Sequence, residues 1–166
     1  MSGPGDELVD IVDEDDRVVR VATRAEMRRD RLLHRCVFVA VRSAAGAVLV
    51  HRRAADKDLL PGWWDLAAGG VVGSGEDYDE AADRELAEEL GVKGVARRPL
   101  GVVHFDDARF RLVGRAYEVV CDGPFTFADG EVSEVRWVEL AVLRSVVADG
   151  GEWMPDSVAV VLPLLS

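Results

Sequence analysis

Apolar residues fall in short blocks, and the spacing within each block predicts its element. "LHRCVFVAV" and "AVLVHRR" are nearly continuous apolar runs separated by "SAAG", which predicts two strands joined by a turn. Upstream, "ELVDIV" and "RVVRVA" bracket the turn-prone "DEDD" and predict a hairpin. "TRAEMRRD" follows, with Thr23 and Glu26 at capping-box spacing, and predicts a short basic helix. "AADKDLLPGW" reads as a loop, "WDLAA" as a short strand and "GGVVGSG" as a glycine-rich loop. Residues 76–90 carry acidic side chains in the first turn, abundant Ala and Leu, and Gly91 where a C-terminal cap belongs, so a helix is predicted there. Strands are predicted at 95–105, 110–121 and 135–138, and helices at 140–147 and 156–164. Strands and helices interleave without a regular βα rhythm, which predicts an α+β fold of mixed layers rather than a doubly wound parallel sheet.

A chain of 166 residues without internal repeats or an evident linker fits one domain spanning 1–166, with the hairpin and short helix of residues 1–30 as an N-terminal extension. Hydrophobic residues at 49% exclude an intrinsically disordered chain. The formal net charge of -11 argues against a protein that grips DNA or an anionic membrane through its overall field, and favours cationic partners. No apolar run approaches the ~20 residues of a membrane span, and "MSGPGDELVD" lacks the basic and apolar regions of a secretory signal. A cytoplasmic location is therefore expected. Cys36 and Cys121 lie in strand-like runs without metal-ligand spacing and read as small core residues.

The predicted helix at 76–90 raises a question of charge. Residues three and four apart share a helix face, so Glu85, Glu88 and Glu89 project together, and a like-charge pair at i,i+4 costs a few tenths of a kcal/mol. A solvated acidic face is one reading. A hard divalent cation is the other, since Mg2+ takes oxygen ligands and keeps waters that substrate phosphates replace. Arg84 can pair with a carboxylate and hold it in place, with Glu76 the expected partner. Gly69 and Gly70 allow close backbone approach of a metal or phosphate where a Cβ would obstruct.

Together these residues resemble the Nudix box, G-x5-E-x7-R-E-U-x-E-E-x-G-U with U a bulky aliphatic. Gly70, Glu76, Arg84, Glu85, Leu86, Glu88, Glu89, Gly91 and Val92 match every fixed position. A chance match in a chain this long is on the order of one in a million from ordinary residue frequencies, which sets the solvated-face reading aside. "LHRCVFVAV", "GAVLVHRR", "LLPGWWDLAAGG" and "EVSEVRW" extend the resemblance to a bacterial Nudix subgroup related to isopentenyl diphosphate isomerases.

The resemblance implies the Nudix fold, an α/β/α sandwich around a mixed sheet, and metal-dependent hydrolysis of a diphosphate linkage in a nucleoside diphosphate derivative or similar small molecule, with Mg2+ or Mn2+. It implies Glu85, Glu88 and Glu89 as metal ligands, assisted by the backbone carbonyl of Gly69 or Gly70, with Arg84 beside them. The general base is left among Glu85, Glu88, Glu131 and Glu134, with Glu131 preferred. Arg52, Arg53 and Lys57 form a basic island that could contact substrate phosphates, surface solubility being the competing reading. Trp63, Trp64, Phe105 and Phe110 are candidates for a base-stacking wall or for core. His34 stands in the "LHR" context where related isomerases place a metal ligand, and both His34 and His104 also read as structural. Many relatives dimerise, so a homodimer is compatible.

Two alternatives remain. An isopentenyl diphosphate isomerase would need a cysteine where Gly69 stands, a histidine where Val71 stands, and later glutamates that "RFRLVGRAY" lacks. A nucleotide-binding module without catalysis commonly has a decayed box, whereas every box carboxylate is present here.

Overall fold

Alternation along one central strand divides the interior in two. The computed structural model describes residues 2–166. Its strands are β1 (Leu8–Val12), β2 (Val18–Thr23), β3 (Leu33–Arg42), β4 (Val48–Arg53), β5 (Trp64–Asp65), β6 (Ala68–Val71), β7 (Arg98–Asp106), β8 (Arg111–Val120) and β9 (Val132–Val138). Its helices are α1 (Arg24–Arg29), α2 (Tyr78–Leu90), α3 (Leu140–Ala148) and α4 (Pro155–Val160). Successive side chains of a strand point to opposite faces. On β3, Cys36, Phe38 and Ala40 pack with Leu143 of α3 and with Val161, Leu162 and Leu165 at the C-terminus. Val37, Val39 and Val41 pack instead with Ala81, Ala82, Leu86 and Leu90 of α2. Helices therefore cover both faces of a mixed sheet, as the expected α+β sandwich requires.

β3 pairs in parallel with β8 from Leu33 opposite Arg111 to Arg42 opposite Val120. β6 runs antiparallel to β3 between Cys36 and Val39. β7 pairs antiparallel with β8, and β9 with β4. The N-terminal hairpin of β1 and β2 forms as expected and joins β3 where Ile11 meets His34. Thr23 caps α1, its side-chain oxygen accepting from the Glu26 N–H at 3.1 Å. No helix among the described residues is long and apolar enough to cross a membrane.

Several boundaries differ from the pattern-based reading. The helix expected from residue 76 begins at Tyr78, because Asp77 is its N-cap: Asp77 Oδ1 accepts from Glu80 N–H at 2.8 Å, and Glu80 Oε2 accepts from Asp77 N–H at 3.0 Å. Gly91 ends it in the left-handed region at φ 68°. The "GGVVGSG" loop begins as strand, since Gly69, Gly70 and Val71 belong to β6 and pair with Phe38, Val37 and Cys36. The last helix stops at Val160 and tightens into a 3-10 turn at Leu162–Leu164, where Pro163 cannot donate a backbone hydrogen bond. β7 begins at Arg98 rather than residue 95, and β9 begins at Val132 rather than residue 135.

Gly69 is required by this pairing. A Cβ there would lie 2.0 Å from the Val37 carbonyl oxygen, so β6 would have to leave β3. At Gly73 the nearest atom to such a Cβ is 3.7 Å away. In urea denaturation, Gly69→Ala is expected to lose about 1–3 kcal/mol or more, against at most ~0.5 kcal/mol for Gly73→Ala. Equal effects would contradict the close β3–β6 approach.

Candidate active site

The apolar stripe of α2 that seats against the sheet also presses two carboxylates toward β6. Glu85 and Glu89 lie next to Leu86 and Leu90 on the helix and are each only 7% exposed, while the Glu88 side chain is half exposed. Glu89 Oε2 accepts the Gly69 N–H at 3.2 Å. The Glu85 carboxylate fills the space beside Gly70, where a Cβ would come within 2.5 Å of its Oε1. The glycines thus admit the β3 backbone and the Glu85 side chain, a different close approach from the metal or phosphate expected.

Arg84 joins loop, helix and strand. Its Nε and Nη2 donate to Glu76 at 2.8 and 3.0 Å, the pairing the spacing predicted. Nη1 donates to Glu85 at 2.9 Å and to Glu88 at 3.2 Å, and Nη2 also reaches the Val71 carbonyl at 3.2 Å. Hydrogen bonds from Arg84 hold the Glu76 carboxyl below its ordinary range. Burial acts in the opposite direction on the helix. It pushes Glu85 up to about 7 against the pull of Arg84, and raises Glu89 well above its usual value, with the charges of Glu85 and Asp65 adding to the effect.

These acids line a cavity of about 950 Å³. Of the two later acids, Glu131 lines it, with Oε1 3.1 Å from Lys57 Nζ. Glu134 lies outside it, 3.6 Å from Arg52 and 3.3 Å from Arg136. Arg53 and Lys57 also line the cavity, but the expected third member of the basic island does not. The β4–β9 register shifts between Arg52 and Arg53. Arg52 is exposed, donating Nε–H to the Gly62 carbonyl, and stands outside the cavity lining that Arg53 joins.

The aromatic candidates divide similarly. Phe110 lines the cavity and stacks at 5.4 Å on Phe105, whereas Trp64 packs against Trp153 at 6.3 Å and Trp63 is half-buried away from the cavity. His34 lies against the cavity, buried, with Nδ1 2.9 Å from the Leu32 carbonyl, while His104 lies elsewhere beside Glu14 and Arg111. Pattern reading missed Asp65, Asp156, Arg24 and Arg28, all cavity-lining. Burial pushes the Asp156 carboxyl up to about 7, and the charge of Asp65 adds to it. Asp65 stands in "WDLAA" beside the glycines, where a signal existed. Asp156 comes from α4, which no local pattern links to the box.

A hard divalent cation fits this donor set. Two buried carboxylates stand at the cavity wall, the charge of Glu85 raising the proton affinity of Glu89, and carboxylate oxygens are the donors a hard cation takes. Among the described residues no three of His, Cys, Asp or Glu converge as a ready cage. At Glu88 the carboxylate is held by Arg84.

Comparison with known proteins agrees with this geometry. The family model described as NUDIX domain matches residues 32–159. An uncharacterized Nudix hydrolase of Salmonella typhi, YfcD, is 42% identical over 151 residues, covering 91% of this chain and 80% of that protein. Another from Streptomyces coelicolor, SCO1686, is 43% identical over 158 residues, covering 93% and 86%. The crystal structure of DR0079 from Deinococcus radiodurans superposes with a TM-score of 0.82 at 30% identity, over 96% of this chain and 99% of that one.

His34 gives the site a pH marker. Burial lowers its pKa to about 4, and the charges of Arg24 and Arg28 push the same way. Between that value and the unfolded value near 6.5 the unfolded chain binds more protons. The contribution of His34 to stability is therefore complete above about pH 6.5 and is lost as pH falls toward about 4. An NMR titration of the ring is expected to find His34 neutral at about pH 5.5; a midpoint near 6.5 would contradict its burial.

Proposed function

The chain belongs to the Nudix family as a hydrolase of phosphorus-containing anhydrides, and from that premise we propose metal-dependent cleavage of a diphosphate linkage in a nucleoside diphosphate derivative or similar small molecule. The carrying observation is the buried pair Glu85 and Glu89 at the cavity wall, clamped through Arg84. We read residues 1–166 as one Nudix unit with its N-terminal hairpin and helix as an extension. It would act in the cytoplasm on a small molecule rather than on DNA or a membrane, and a homodimer is compatible with this reading.

Glu85, Glu88 and Glu89, with a carbonyl of Gly69 or Gly70, would hold Mg2+ or Mn2+. When bound, such an ion neutralises phosphate charge and makes water a better nucleophile near neutral pH. Arg84 positions the helix glutamates through Glu76 and Val71, and would release Glu88 on loading. Glu131 would take the proton of the attacking water at a carboxylate oxygen, with Lys57 orienting it from 3.1 Å. Arg53 and Lys57, both at the cavity, would bind substrate phosphates.

The isomerase alternative has no support in this geometry. The position its cysteine would need is occupied by Gly69, where even a Cβ meets the Val37 carbonyl. Incubation with Mg2+ or Mn2+ and a panel of nucleoside triphosphates, nucleotide sugars, dinucleotides and isoprenoid diphosphates, followed by mass spectrometry, tests the proposal. Turnover of at least one compound is expected, reduced roughly 100-fold or more in folded Glu89→Gln. Metal-dependent binding without any product would replace the hydrolase reading by that of a binding module.

A further inference from the structure

The cavity has a second charged wall, supplied from outside the span that the NUDIX model matches. That match begins at residue 32, whereas Arg24 and Arg28 belong to α1. Both line the cavity that contains Glu85 and Glu89, and Arg53 reaches it from β4. In a protein of net charge -11, these guanidiniums have few firm anionic partners. Arg24 Nη1 is 3.4 Å from Glu7 Oε2, on a side chain 61% exposed. Arg28 Nη1 is 3.8 Å from Asp58 Oδ2, on a side chain 88% exposed. Arg53 donates to the Leu59 carbonyl, a neutral acceptor.

Two further observations point to an anionic ligand. Arg24 Nε is buried without a hydrogen-bond partner, the single such side-chain atom among the described residues. Buried polar groups are ordinarily satisfied, so this donor lacks an acceptor of the kind a ligand oxygen supplies. Arg28 is itself destabilised as a cation, first by burial and then by the charge of Arg24, with Arg53 adding to it. His34 is buried and close enough for both α1 arginines to disfavour its protonation, which shows how positive this part of the cavity is.

We propose that Arg24 and Arg28, with Arg53, form a subsite for a phosphate group of the substrate other than the linkage held at the glutamates. No ion pair among the described residues joins this arginine group to Glu85, Glu88 or Glu89, and the cationic partner of Glu85 and Glu88 is Arg84. Substrate would therefore bridge two separate charged walls. This names its class: a compound with at least one phosphate beyond the hydrolysed diphosphate. Arginine suits the task because its planar fork donates two hydrogen bonds to phosphate oxygens. The inference rests on the reading of this cavity as a diphosphate-cleaving site, and it assigns a binding role to the N-terminal extension.

Calorimetric titration with inorganic pyrophosphate in EDTA tests the subsite without requiring turnover. Arg28→Gln is the primary variant, since its side chain is 42% exposed and its loss should spare the fold. Arg24→Lys is the second, keeping charge while removing the fork, and thermal unfolding verifies both. Wild type is expected to bind pyrophosphate, Arg28→Gln to bind roughly tenfold more weakly or worse, Arg24→Lys to weaken in the same direction, and Glu89→Gln to bind as wild type. No binding by wild type, or unchanged affinity in folded Arg28→Gln, overturns the subsite. Absence of turnover with this binding pattern intact would count against the hydrolase reading alone.

Discussion

The Arg84 guanidinium ties together three pieces that must meet for the site to exist. It reaches the loop at Glu76, its own helix at Glu85 and Glu88, and the strand at Val71. A planar fork with five donors can satisfy that many acceptors at once, whereas a lysine ammonium cannot in the same geometry. The clamp also explains how like charges tolerate one another on α2. Glu88 and Glu85 share one cation, while Glu89 is left to the Gly69 N–H, its proton affinity raised by burial. Everything else at this wall follows from that arrangement: β6 against β3, α2 against β6, and a pair of carboxylates turned toward a cavity.

Burial and function are coupled here through cost. Holding the Glu85 proton to about pH 7 corresponds to roughly 3 kcal/mol against ionisation. Such groups would ordinarily be selected against in a core, and on the proposed reading a bound cation would reverse the penalty beside Gly69 and Gly70. The arginine group has the complementary problem, with Arg24, Arg28 and Arg53 crowded and loosely paired. On the proposed reading, a ligand that brings metal ions to the glutamates and phosphate oxygens to the arginines would relieve both. The two walls come from distant segments, and β3 is the shared support, since β1 of the hairpin and β6 of the box both pair with it.

The box was legible because its residues lie in one continuous segment with fixed helical spacing. The Arg84–Glu76 pair could be read at that level, as could the α+β class and the alternating strand β3. The reason for the glycines could not, because the Val37 carbonyl and the Glu85 carboxylate arrive there only through tertiary packing. Arg52 could not be separated from Arg53 in the sequence, because the β4–β9 register shift between them arises only from strand pairing. Asp156 and the α1 arginines were not legible, since α4 and α1 reach the cavity from opposite ends of the chain. Local pattern carries the reaction type, and long-range packing carries the shape and second charge of the cavity.

The central claim is that burial raises the proton affinity of Glu85 and Glu89 and that a divalent cation would compete with those protons. Calorimetric titration of Mn2+ near pH 6.5 in buffers of differing ionisation enthalpy measures the protons released per ion bound. The account predicts net proton release on binding, diminished in Glu85→Gln and in Glu89→Gln. Binding of Mn2+ without proton release, or with the same release in both variants, would contradict it.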